Sequence, residues 1–98
     1  MKAFNEIRKD LKEIRYYYTR QEVIDRMSSF VENDIIQSVK SYSDVMKKAP
    51  MLLYELYMSL YVLNNTQEAL AADWDKSLMY IRKVHVKLLN YLQENLKS

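Results

Sequence analysis

The chain has 98 residues, with 15 Lys/Arg against 13 Asp/Glu, a net charge of +2, no cysteine, no glycine and one proline. That length fits one domain, 1–98, able to bury a core without staples. The missing cysteines exclude disulfides and thiolate metal sites, and the near-neutral charge weighs against tight non-specific binding to a polyanion.

No apolar run approaches the roughly twenty residues needed to span a bilayer. The opening "MKAFNEIRKDLKEIRYYY" lacks the uninterrupted apolar stretch of a secretory signal. No membrane contact and a cytoplasmic location are therefore expected. Hairpins lean on glycine for positive φ, so its absence predicts an all-α fold.

Phe4, Ile7, Leu11, Ile14 and Tyr18 recur at offsets of three and four, which predicts one amphipathic helix. The phase breaks after Tyr18. There Thr19 and Glu22 form the T-x-x-E of a capping box, predicting a restart at Arg20; one helix running on through Met27 is the alternative. "IRYYYTR" sets aromatics between Arg15 and Arg20, a composition that suits base stacking. Successive helical residues point about 100° apart, however, so the three tyrosines form no single platform, and packing on the core is expected.

"SSFVEND" reads as a connection. Asn33 or Asp34 is expected to cap a helix with the stripe Ile35, Val39, Tyr42 and Met46. "KKAP" ends that helix, and Pro50 suits the first position of the next. In "MLLYELYMSLYVL", Leu53, Leu56, Leu60 and Leu63 make one stripe, and Met51, Tyr54, Met58 and Tyr61 a second beside it. A helix apolar nearly all round must be covered on most sides, so this is the expected central helix, or the seam of a homodimer.

Asn64 and Asn65 end the central helix, since asparagine tolerates the left-handed region. Thr66 caps a short helix with Leu70, Ala71 and Trp74 inward and Glu68 near its positive end. "DWDKS" is the break. Ser77 then caps the last helix, whose inward face is Ile81, His85, Leu88 and Leu92. Asp73 and Asp75 are expected to shape the turn, and His85 to be a partly buried packing residue.

A buried helix, a Thr-capped short helix, a three-residue break and a Ser-capped long helix make the helix-turn-helix plan. The stretch "TQEALAADWDKSLMYIRKVHVKLLNYL" resembles the region of bacterial sigma factors that reads the upstream promoter element. More widely, "LKEIRYYYTRQEVID" and "APMLLYELYMSLYVLNNTQEAL" resemble small phage-encoded regulators of late-gene control, of the ArpU and RinA type. The resemblance implies a helical domain with a C-terminal sigma-like helix-turn-helix (50–98) packed on the central helix. The N-terminal helices (1–49) would brace it or dimerise. It implies binding to double-stranded DNA at a phage or prophage promoter, perhaps beside host RNA polymerase. Three positions depart from the sigma pattern: Asp75 stands where glycine is usual, and Lys76 and His85 where apolar residues are usual.

On that reading the last helix enters the major groove. Lys83 and Lys87 go to phosphates, and Met79 and Tyr80 to base edges or methyl groups. Lys76, Ser77 and Arg82 lie beside them, and Gln67 reaches a phosphate or base from the start of the short helix. The alternative is a solvated basic face on a module that docks on polymerase or another regulator without gripping DNA. No enzyme is expected. There is no glycine for a phosphate loop, and the lone His85 has no neighbouring ligand for a metal or nucleophile for a triad. No cofactor is expected either.

Overall fold

A computed structural model gives the fold over residues 2–20 and 33–96. The described residues hold five helices and no strand. They are α1 (Phe4–Thr19), α2 (Asn33–Met46), α3 (Met51–Tyr57, continued by a π turn, Met58–Val62), α4 (Gln67–Trp74) and α5 (Leu78–Asn95). The fold is all-α, as composition predicts. Among the described residues, no helix is long and apolar enough to cross a membrane.

The stripe predicted for α1 forms the core side of that helix: Ile7, Leu11 and Ile14 are buried, with Phe4 and Tyr18 packed against them. The helix closes one residue beyond Tyr18, where Thr19 Oγ1 donates to the Arg15 carbonyl at 2.8 Å. The proposed restart through Glu22, its alternative through Met27 and the connection before Asn33 lie outside the described residues. The three tyrosines divide as expected. Tyr18 joins the core, Tyr16 is exposed beneath the Arg20 guanidinium, and Tyr17 meets Tyr18 edge-on, so no flat platform forms.

In α2 the stripe again faces inward, with Tyr42 and Met46 buried. Asn33 and Asp34 are already helical, so neither is the cap that the sequence suggested. The Tyr42 hydroxyl donates to Asp10 Oδ2 at 2.8 Å, and Lys2 Nζ approaches the same oxygen at 2.7 Å. This small network ties the start of α1 to α2. Pro50 sits one step earlier than predicted. It is extended (φ −54°, ψ 145°) and precedes the first turn of α3, while its carbonyl accepts the Tyr54 N–H at 3.0 Å.

The central helix differs most from expectation. Leu53, Leu56, Tyr57 and Leu60 are buried, but Met51, Leu52 and Tyr54 are exposed, so the first turns are uncovered on one side. Leu63, predicted to share the buried stripe, is 64 % exposed. The cause is the π turn. The Leu63 N–H reaches back five residues to the Met58 carbonyl (2.8 Å), and that of Asn65 six residues to Ser59 (2.8 Å). A widened turn takes in an extra residue and slips the 3.6-residue register, so Leu63 leaves the stripe.

α1 packs most closely on this π turn, while α5 lies against α1, α3 and α4. Gln93 Nε2 donates to the Lys2 carbonyl at 2.9 Å, joining the end of α5 to the start of α1. The Tyr91 hydroxyl donates to the Val45 carbonyl at 2.9 Å and joins α5 to α2. With neighbours on several sides, α5 buries more than its predicted stripe: Val84, Leu89 and Leu96 join Ile81, Leu88 and Leu92.

Candidate nucleic-acid interface

Three local devices set the pose of α4 and α5. Asn64 (φ 61°) reverses the chain after the π turn. Thr66 Oγ1 then accepts the Ala69 N–H at 3.0 Å and starts α4. At its far end Asp75 is left-handed (φ 53°, ψ 47°). The Lys76 N–H reaches the Ala71 carbonyl at 2.9 Å and the Asp75 N–H reaches that of Ala72 at 3.2 Å. This pair of bonds is the Schellman closure that glycine usually allows; aspartate performs it here. Ser77 Oγ accepts the Tyr80 N–H at 3.1 Å and opens α5. Both caps and the left-handed aspartate stand where the sequence puts them.

The predicted site residues divide into two groups. Met79 (67 % exposed), Arg82, Lys83 and Lys87 share one outward face of α5. Lys76, Ser77, Tyr80 and Gln67 are partly committed elsewhere. Lys76 Nζ lies 5.3 Å from the centre of the Tyr80 ring, and that ring packs on the core. The Ser77 hydroxyl oxygen is spent on the cap. Gln67 is half-buried as the first residue of α4. Val86 and Asn90 also belong to the outward face, both exposed. The spacing from Met79 to Val86 is two helical turns, so the sequence carries that signal.

Electrostatics favour an anion at this face. From Leu78 to Gln93 there are three cations, Arg82, Lys83 and Lys87, and no carboxylate. The first turn of α5 has no acidic residue either, which leaves the positive end of the helix dipole uncompensated by an acidic side chain there.

On the opposite flank of α5, His85 is half-buried, and its Nε2 meets the Tyr61 hydroxyl from the π turn. Burial, with Arg8 nearby, holds the imidazole below its ordinary pKa, and burial pushes the Tyr61 phenol up to about 12. A neutral ring therefore accepts the phenolic proton at Nε2 and keeps its own on Nδ1. His85 packs as the sequence suggests, with Tyr61 as its partner. The buried Tyr57 hydroxyl has no hydrogen-bond partner among the described residues, and burial raises its pKa.

No family model matches the chain, and neither a curated protein nor a solved structure does.

Proposed function

We propose that the protein is a sequence-specific DNA-binding transcription regulator working in the cytoplasm, with α5 lying in the major groove. One observation carries this reading. After a short, tightly closed turn, α5 presents an exposed face that combines Arg82, Lys83 and Lys87 with the apolar tips of Met79 and Val86, and no carboxylate interrupts it. Cations suit phosphates and guanine edges, and apolar tips suit thymine methyl groups. The resemblance to sigma-like phage late-gene regulators points the same way and suggests polymerase as a partner. A chain with a net charge of only +2 gains effective concentration from such a partner or from dimerisation.

The test is fluorescence anisotropy against a pool of promoter-containing fragments at two salt concentrations. Tight binding to one fragment, weakening steeply with salt, is the expected result. Lys83→Ala with Lys87→Ala should make the slope of log K against log salt shallower by about 1.8, for two lost phosphate contacts. An unchanged affinity and slope in that double variant would remove α5 from the groove.

A second reading draws on a different feature. Met51 (69 % exposed), Leu52 and Tyr54 leave an apolar side of α3 open, which suits docking on a protein such as polymerase. A stable complex with polymerase subunits, together with no DNA affinity at low salt, would select it.

A further inference from the structure

Along α1, cations and carboxylates alternate in the linear sequence, "RKDLKEIR", and look balanced. Wrapped at about 100° per residue they separate. Asn5, Arg8, Lys12, Arg15, Tyr16 and Thr19 fall within an arc of about 100°, and Glu6, Asp10 and Glu13 all lie outside it. The arc is open to solvent: Arg8, Lys12 and Tyr16 are exposed, and Arg15 is half-exposed. Among the described residues, none of Arg8, Lys12 and Arg15 pairs with a carboxylate. Their partners are neutral. The Arg8 guanidinium lies 5.9 Å from the centre of the Phe4 ring and its Nη1 reaches Asn5 Oδ1 at 3.5 Å, while Arg15 Nε donates to Asn64 Oδ1.

Like charges one helical turn apart repel, and this stripe repeats that arrangement twice, from Arg8 to Lys12 and from Lys12 to Arg15. The repulsion is left standing although the same helix carries three carboxylates on its other side. An anion bound from outside would relieve it. The stripe is also tied to the elements that set the proposed reading head. Arg15 holds Asn64, the residue that turns the chain toward the cap of α4. Arg8 is close enough to Tyr61 and His85 to act on both, which brings the stripe alongside α5.

Resting on the DNA-binding reading above, we propose that Arg8, Lys12 and Arg15 form a second phosphate-binding surface, taking the backbone of the same duplex that α5 reads. Such contacts carry no sequence information. They fix orientation and add affinity, which a weakly charged reading helix lacks.

The probe is a labelled DNA duplex of mixed sequence, titrated with the full chain across a series of salt concentrations. Arg8→Gln/Lys12→Gln/Arg15→Gln should make the slope of log K against log salt shallower by about two to three, from about 0.9 per phosphate contact. The loss should be the same on every duplex sequence. Arg15→Lys alone should keep the wild-type slope, because the charge remains. Circular dichroism checks folding. Should the triple variant fail to fold, Arg8→Gln/Lys12→Gln, which keeps the Arg15–Asn64 bond, should still lose about two. A stripe variant with the wild-type slope, beside a Lys83→Ala/Lys87→Ala variant that loses affinity, would overturn the second surface and leave the reading helix standing. The converse pattern would keep the stripe and overturn the role of α5. A wild-type chain that binds no duplex at low salt would overturn both.

Discussion

Asp75 is the position at which stability and the pose of α5 can be tested together. It is left-handed at φ 53°, exposed, and its side chain makes no hydrogen bond among the described residues, so replacing it removes no contact there. A residue with a Cβ in this region costs about 1–2 kcal/mol relative to right-handed backbone, and aspartate sits at the low end because its short polar chain tolerates it. Glycine relieves that cost but returns about 0.4–1 kcal/mol through the greater freedom of the unfolded chain. Asp75→Gly should therefore stabilise by roughly 0.5 kcal/mol. Asp75→Val places a β-branched chain in the same region and should destabilise by about 1–2 kcal/mol. At about 4–8 °C per kcal/mol for a domain of this size, the two variants should melt about 10 °C apart. Thermal melting by circular dichroism reads this directly. Melting points within about 2 °C of each other, or a glycine variant below wild type, would refute a left-handed residue at the turn.

Two further predictions concern the tyrosine and histidine side chains between the helices. Tyr57→Phe removes a buried hydroxyl that has no partner among the described residues, and should leave stability unchanged or raise it by up to about 1 kcal/mol. Tyr42→Phe breaks the bond to Asp10 and should cost about 1.5–3 kcal/mol; urea midpoints showing equal costs for the two would contradict the hydrogen-bond assignment. For His85, the folded-state pKa lies below the unfolded value of about 6.5, so its contribution to stability is complete above that pH. The contribution is lost as pH falls from there toward the folded value, because the unfolded chain takes the proton first. Urea titrations from about pH 8 to about pH 5 should show a decline below neutrality that His85→Gln flattens; parallel curves for the two proteins would refute the burial of a neutral ring.

Local chemistry was the most legible part of the fold. Thr66, Ser77, Asn64 and Asp75 each announce their role because a cap or a reversal depends on a few neighbouring backbone groups. Apolar spacing likewise gave the core side of α1 and α2. Long-range packing was not legible. Nothing local distinguishes Met58–Val62 from ordinary helix, so Leu63 was assigned to a stripe that the widened turn removes it from. Tyr57 fell between the two stripes read from the sequence, yet it is buried. The burial of Val84 and Leu89 likewise depends on how many neighbours surround α5. Of the candidate site, Met79, Arg82, Lys83 and Lys87 follow from helical spacing. Tyr80 follows the same spacing, but core packing claims its ring. The α1 stripe escaped because its charges cancel in a linear count and separate only around a helix axis.

The π turn has a consequence for how this architecture can vary. Its extra residue behaves as a shim between α1 and the pair α4–α5. Deleting one residue from Met58–Val62 would let the segment close as regular helix and turn everything downstream by about 100° about its axis. Leu63 would swing back toward the core, and Asn64 would lose its alignment with Arg15. A one-residue length change here acts as a rotary adjustment of the last two helices, whereas the same change in an exposed loop would leave them where they are.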